Sequence, residues 1–339
     1  MVVATDQGAG SRLPQLLRGA IRQAAVSDIV LVTGAAGFAG SHLVQHLAAS
    51  NAVVGWARSS PPPEIAPLAT WTQVDLLDRE QVRAAIARLR PTAVYHCAGV
   101  PHVAESWQDT AQPLAGNVLA TEHLLDALRR AAVPCRLLIP GSATVYAPSA
   151  EPITETHTIA PASPYALSKL AQEQLVLQAI QEDGIDVVVT RSFNHTGPRQ
   201  TPAFVAPSMA RQIALIEAGA LEPVIRVGNL DAQRDLTDVR DVVRAYAALM
   251  QSGTSGTIYN VASGVGRSVR SVLDALVSRS RTPVRIETDP ARMRANDVPV
   301  LVGDFSRLTH ATGWRPLVSF DQMLDDLLGY WRSQVQSAK

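Results

Sequence analysis

Two side chains four residues apart could move a proton. Tyr165 and Lys169 stand at i and i+4 in a segment with helical apolar spacing (Leu167, Leu170, Ala171, Leu175, Leu177). Both therefore lie on one helix face. Ser163 suits the cap of that helix, and Pro164 suits its first turn, where a missing N–H costs nothing. A phenol beside an ammonium is a poised proton donor. The cation favours phenolate and is expected to pull the tyrosine below its ordinary pKa of about 10, closer to the pH at which a general acid works best. Upstream, Ser142 follows the apolar run Arg136-Leu137-Leu138-Ile139-Pro140. That places its hydroxyl just beyond the carboxyl end of a strand, where open α/β sheets bind ligands.

A second cluster handles phosphate. Gly34-x-x-Gly37-x-x-Gly40 follows the apolar run Ile29-Val30-Leu31-Val32 and leads into a helix expected from about Ser41 to Ala49. Glycines there permit a tight turn, close approach to a pyrophosphate and tight packing of helix on strand. The helix N-terminus then faces the phosphates, with Phe38 in the same loop.

Alternating elements must position these groups. A strand from Asn51 to Trp56 ends in Ala57-Arg58-Ser59-Ser60. A cation and two hydroxyls suit an adenosine 2′-phosphate, where an acidic residue would select the free hydroxyl. The next strand ends at Val74-Asp75-Leu76, placing Asp75 to accept from an adenine amino group and Leu76 against the ring. A helix over Arg79 to Leu89 follows, then a strand Ala93 to Cys97 ending in Ala98-Gly99, small enough for a cofactor to lie close. Residues 100–113 read as a loop, and a helix runs from near Asn117 to about Ala131. After the Tyr165 helix comes a strand from Asp186 to Thr190. This alternation predicts an α/β fold with a doubly wound parallel Rossmann sheet.

Beyond residue 195 the alternation stops. Helices are expected near 207–218, up to Met250, over 268–280 and over 320–333, with a strand at Thr257 to Val261. The expected division is an N-terminal extension (1–26), a cofactor-binding Rossmann domain (27–193 and 234–262), and a smaller, mostly helical C-terminal substrate lobe (194–233 and 263–335). The 339 residues carry 30 basic and 30 acidic side chains, giving no electrostatic reason to expect nucleic acid or a membrane surface. Cys97 and Cys135 read as buried free thiols, with no disulfide framework and no metal site. A reducing, cytoplasmic setting fits. No apolar run reaches transmembrane length.

The glycine spacing, Ser142, Tyr165-x-x-x-Lys169 and the two-lobe layout together resemble the extended short-chain dehydrogenase/reductases over about residues 28–335. Within them the chain is most similar to the reductases of GDP-4-keto-6-deoxy-mannose, relatives of GDP-mannose 4,6-dehydratase. The matching stretches are Phe193 to Gln200, Val227 to Asp235 and Arg294 to Asp304, with Ala295 where proline is usual. The resemblance implies a nicotinamide cofactor, NADPH with NADH as the alternative, and a GDP-linked sugar substrate. It puts Ser142 on the substrate carbonyl and Asn194, Val205, Arg234 and Arg294 on the sugar nucleotide. Lys169 then also bonds the nicotinamide ribose. A homodimer through a four-helix interface near 117–131 and 164–182 is implied as well. Dehydratases of this family follow the active-site hydroxyl with a carboxylate pair, but here those places hold Ala143 and Thr144. Neither is an acid/base group at neutral pH. The expected activity is 4-ketoreduction yielding a GDP-6-deoxyhexose. A 4-epimerase retaining NAD, a 4,6-dehydratase of the same family and a non-catalytic NADP-sensing protein are the alternatives.

Overall fold

The computed structural model describes residues 29–292 and 298–337. The expected extension at 1–26 and Arg294 lie outside the described residues. The chain begins with β1 (Ile29–Thr33), α1 (Phe38–Leu47), β2 (Ala52–Ala57), β3 (Thr70–Gln73), α2 (Arg79–Leu89) and β4 (Ala93–His96). A single turn α3 (Ala111–Pro113) runs through a π-helical stretch, Leu114–Leu119, into α4 (Ala120–Ala131). Then come β5 (Arg136–Ser142), α5 (Pro164–Asp183), β6 (Asp186–Ser192), β7 (Asn194–Thr196), α6 (Val205–Glu217), β8 (Val224–Val227) and β9 (Gln233–Asp238). The rest is α7 (Val239–Ser252), β10 (Ile258–Val261), β11 (Gly266–Ser268), α8 (Val269–Val277), β12 (Arg285–Thr288), β13 (Val300–Leu301), α9 (Ser306–Thr312) and α10 (Phe320–Ser337).

Seven strands form one parallel sheet in the order β10-β6-β5-β4-β1-β2-β3. Its strands are apolar on both faces, as a sheet covered twice requires. Val30 and Val32 of β1 face α1 and α7, packing with Leu43, Val44, Val242 and Tyr246. Leu31 faces the other way, onto the layer of α2, α4 and α5 that buries Ile86, Leu124 and Val176. The strand order reverses between β1 and β4, so the loops after these parallel strands open a crevice at the sheet's carboxyl edge.

The remaining strands are short, and the expected helical lobe is built around them. β11, β9 and β13 lie side by side with β7 also on β9, while β12 pairs with β8. Helices α6, α8 and α10 bury Ile213, Leu273, Leu324 and Leu327 in a separate core. Residues 100–113, read as a loop, contain a helical turn at Glu105–Trp107, and the helix that continues into α4 starts at Ala111. The polar sequence before Asn117 carries no apolar period to reveal this. The π-helical stretch turns Asn117 inward, where it is 1% exposed.

One carboxylate ties the small sheet to the large one. Asp235 of β9 is fully buried. It accepts from Ser263 N–H (2.7 Å), Ser263 Oγ–H (2.6 Å), Gly264 N–H (2.8 Å) and Gly303 N–H (3.3 Å). Asp235→Ala should lower the unfolding free energy by about 3 kcal/mol or more, because several buried donors lose their acceptor at once. Urea denaturation measures this; a loss under about 1 kcal/mol would mean the loops hold without the carboxylate.

Candidate active site

The glycine loop is shaped for a close-lying ligand. Gly34 has φ of 64°, and a Cβ there would fall 2.6 Å from the Ala98 nitrogen. At Gly40 a Cβ would fall 2.2 Å from the Gly34 carbonyl oxygen. Gly37 caps α1 with no side-chain hydrogen bond and no acidic residue in the first turn. The first N–H groups of α1 thus remain for an anion, which fits the pyrophosphate of a dinucleotide. Phe38 stacks on His195 with ring centres 5.7 Å apart. His42, held neutral with its pKa lowered to about 4 by burial and by Arg199, donates through Nε2 to the Pro198 carbonyl (2.8 Å).

The other expected cofactor residues share this edge of the sheet. Arg58 and Ser59 stand exposed just after β2. Asp75 is exposed after β3 and accepts the Leu77 N–H (3.0 Å), while Leu76 is half-buried. The Ala98 N–H donates to Thr33 Oγ1 (3.3 Å) at the head of the glycine loop.

Tyr165 and Lys169 lie in the first turns of α5. Ser163 caps that helix by accepting the Ala166 N–H (3.1 Å), and Gly184 ends it in the left-handed conformation. The Tyr165 N–H donates to Ser106 Oγ (3.2 Å). The Ser142 hydroxyl is near enough to the Tyr165 phenol to pull its pKa down. The sequence predicted a depressed phenol pKa, and the structure reverses the sign. Burial pushes Tyr165 above the ordinary phenol value and outweighs the downward pull of the neighbouring Ser142 hydroxyl. The Lys169 ammonium is instead directed at the Pro140 carbonyl (2.5 Å) and at Gln172 Oε1 (2.5 Å). Burial lowers Lys169 itself to about 8, opposed by the nearby Cys97 and Glu173. The phenol is therefore fully protonated at neutral pH. Beside it, Thr144 Oγ1 is 2.9 Å from Ser142 Oγ, and Ala143 is buried against the adjacent core.

A cavity of about 410 Å³ opens next to this cluster. Its walls bring together Asn194, Val205 and Arg234 of the expected substrate residues. Ser142, Tyr165 and Lys169 lie outside that lining, and the segment 102–106 bridges the gap. His102 stacks on Phe204 in the cavity wall at 5.2 Å, Ala104 lines the cavity, and Ser106 holds the start of the Tyr165 helix. The Arg234 guanidinium donates to the Val298 carbonyl (2.6 Å). Sequence reading missed Arg226, Arg267 and Arg292 in the same walls. Arg226 and Arg292 lie just outside the matching stretches and Arg267 in none, so only their convergence marks them.

The model of the GDP-mannose 4,6-dehydratase family matches residues 31–327. A GDP-6-deoxy-D-mannose reductase of Pseudomonas aeruginosa is 38% identical over 310 residues, covering 91% of this chain and 98% of the relative. Among solved structures, RMD from Pseudomonas aeruginosa complexed with NADPH is 36% identical with a TM-score of 0.80, over 91% of this chain and 100% of that one. The UDP-glucose 4-epimerase of Thermus thermophilus, solved with NAD, is 31% identical with a TM-score of 0.80, over 90% of this chain and 99% of that one. With the glycine cradle, the Ser142–Tyr165–Lys169 cluster and these matches in hand, the chain belongs to the GDP-mannose 4,6-dehydratase family of the extended short-chain dehydrogenase/reductases, NAD(P)-dependent enzymes of nucleotide sugars.

Proposed function

We propose that the protein is an NADPH-dependent 4-ketoreductase that converts GDP-4-keto-6-deoxy-D-mannose into a GDP-6-deoxyhexose, GDP-D-rhamnose. The observation that carries this reading is the hydroxyl pair Ser142–Thr144. A family dehydratase needs carboxylates where this chain has Ala143 and Thr144, while the proton donor for reduction is intact. The likeness to the Pseudomonas aeruginosa reductase supports the same substrate, and that protein's NADPH complex supports the cofactor.

In this reading the lobe formed by 27–193 and 234–262 holds the cofactor, and the lobe formed by 194–233 and 263–335 grips the sugar nucleotide. Gly34, Gly37, Phe38 and Gly40 cradle the pyrophosphate. Arg58 and Ser59 take the 2′-phosphate, Asp75 and Leu76 the adenine, and Ala98 leaves room for the chain of the cofactor. The cofactor, when bound, supplies the hydride. Ser142 donates to the ketone oxygen and fixes its position. Tyr165, already protonated, passes its proton to that oxygen as negative charge develops on it. Lys169 supplies positive charge beside the phenolate this leaves and bonds the nicotinamide ribose. Asn194, Val205, Arg234 and Arg294 hold the GDP moiety, the arginines supplying charge that suits its diphosphate.

The Ser142-Ala143-Thr144-Val145-Tyr146 stretch is also one an epimerase can carry, and the Thermus thermophilus epimerase shares the fold. Epimerisation with retained NAD is the second reading, and exposed Arg58 favours the first. We further propose a cytoplasmic homodimer through α4 and α5. Leu114, Leu119 and Leu167 stand exposed on or beside these helices, large apolar side chains of the kind that dimer interfaces cover. Among the described residues no helix is long and apolar enough to cross a membrane.

Tyr165→Phe should keep NADPH affinity and lose at least about a hundredfold in kcat, since the ring stays and the donor goes. Near wild-type turnover would remove Tyr165 from the mechanism. Wild-type reduction should decline as pH rises through about 8, where Lys169 loses its charge, and should hold on the acid side of that value. A rate that stays level well above pH 8 would detach Lys169 from the rate. Arg58→Ala should weaken NADPH and leave NADH unchanged; equal kcat/KM for the two cofactors in the wild type would overturn the 2′-phosphate assignment. The decisive comparison supplies GDP-mannose with NADP⁺ in one tube and the 4-keto-6-deoxy compound with NADPH in another. The second alone should react, with one NADPH consumed per product and the sugar identified by NMR. Ketone formed in the first tube would make the protein a dehydratase.

A further inference from the structure

Lys169 sits at the end of a buried polar chain that the reaction described above does not use. Its ammonium donates to Gln172 Oε1 (2.5 Å). Gln172 Nε2 donates to Thr121 Oγ1 (2.7 Å), and the Thr121 hydroxyl donates to the Asn117 carbonyl (2.6 Å). His96 Nε2 lies 3.0 Å from the same Thr121 oxygen, and His96 Nδ1 lies 2.8 Å from Thr33 Oγ1. Thr33 Oγ1 in turn accepts the Ala98 N–H (3.3 Å). Gln172, Thr121, His96 and Thr33 are each at most 1% exposed.

Proton counting fixes every role in this chain. Lys169 has only donors, so Gln172 must turn its oxygen toward the ammonium and its NH₂ toward Thr121. Thr121 gives its one proton to the Asn117 carbonyl, which has none to offer. Both Thr121 lone pairs therefore accept, one from Gln172 and one from His96. His96 thus carries its proton on Nε2, and bare Nδ1 accepts from the Thr33 hydroxyl. Burial and the Lys169 charge lower His96 to about 3, so the imidazole stays neutral across the working range. Thr33 immediately precedes Gly34, and Ala98 backs it.

We propose that Gln172 is a positioning residue for Lys169, and that it aims the ammonium as the inner end of a chain anchored through Thr121 and His96 at the head of the glycine loop. Two of the three ammonium N–H groups are committed to Pro140 and Gln172, leaving the third for the crevice. The same two acceptors favour the charged amine against its burial. Other ionisable groups around Lys169 are Cys97 and His96 from the β4 end, Tyr165 and Glu173 from its own helix, and Arg191 from β6. Cys97 is pushed up to about 12 by burial and stays neutral, while Glu173 is held by Arg191 in a fork of 2.6 and 2.9 Å. Gln172 is the uncharged neighbour that both orients the amine and can be exchanged without removing a charge.

The inference rests on the reading of Lys169 as a cofactor-binding group but not on the sugar substrate. The test therefore follows NADPH affinity by fluorescence from pH 6.5 to 9.5, in the full chain, with no sugar present. Wild-type affinity should fall as Lys169 deprotonates. Gln172→Glu, which keeps the shape and adds a negative charge, should move that fall upward by about one pH unit or more. Gln172→Leu and Thr121→Val should move it downward, and Gln172→Leu should also weaken binding at pH 7 by about tenfold. Thermal melts identify any variant that fails to fold, and Gln172→Glu, being near-isosteric, keeps the test alive if Gln172→Leu does. Nitrogen-15 NMR should show His96 as the neutral Nε2–H form throughout, and as a mixture of forms in Thr121→Val. An unmoved pH profile in folded Gln172→Glu overturns the proposal, as does His96 protonated on Nδ1 in the wild type. Shifted profiles with no turnover of any nucleotide ketone would refute the reductase reading while leaving Gln172 in its role.

Discussion

A buried carboxylate, satisfied by neutral donors among the described residues, fixes the relation between the large sheet and the cavity beside it. Asp235 accepts from neutral donors, three of them from the turn that leaves β10 and one from Gly303. Burial pushes its pKa up and the hydrogen bonds pull it down, and burial wins. A group in that state is held by geometry more than by charge, so the donors must arrive from defined directions. The neighbouring residue on β9 is Arg234, whose alternating side chain faces the cavity. The same carboxylate that seats the strand on the end of β10 therefore sets where that guanidinium points. Phe193 adds a backbone bond to the Val261 carbonyl (2.9 Å) at the same junction.

Much of the large sheet was legible because its signals are local. The helix over Arg79–Leu89 has its cap, Asp78, accepting the Gln81 N–H (3.0 Å), and its apolar spacing gives its length. Likewise Ser163 and Pro164 mark the start of α5. The small strands β7, β8, β11 and β13 were not legible, since two to four residues carry no periodicity and exist only through partners distant in sequence. The sign of the Tyr165 shift failed for a related reason. Spacing of i and i+4 puts two side chains on one face, but whether they interact depends on rotamers. Here Pro140 and Gln172 offer the ammonium better acceptors, and the depth of the phenol decides its pKa.

The Lys169 chain shows why single residues misled. His96 has no metal-like partners in sequence, and its two nitrogens are taken by Thr33 and Thr121, 63 and 25 residues away. Gln172 carries no charge and sits in a helix where glutamine is common. Each residue is ordinary alone. Only the count of donors against acceptors across five side chains reveals that one assignment satisfies them all, and that it ends on the ammonium.

The same counting bears on the direction of proton flow at Ser142. Its oxygen accepts the Thr144 N–H (3.3 Å) and lies 2.9 Å from the Thr144 hydroxyl, which can donate to it. With both lone pairs occupied in that way, the Ser142 proton is free to point at the phenol or at a substrate oxygen. A carboxylate in place of Thr144 could only accept, and would draw the Ser142 proton toward itself. Elimination of water needs such an acceptor, because a proton must leave carbon before one is returned. Reduction needs the opposite polarity, with every hydroxyl in the cluster donating toward the oxygen that gains charge. Tyr165, kept protonated by burial, and Ser142, supplied from behind by Thr144, both have that polarity. The replacement of a carboxylate by threonine therefore does more than remove a base. It turns the hydrogen bonds of the site outward, toward a developing alkoxide.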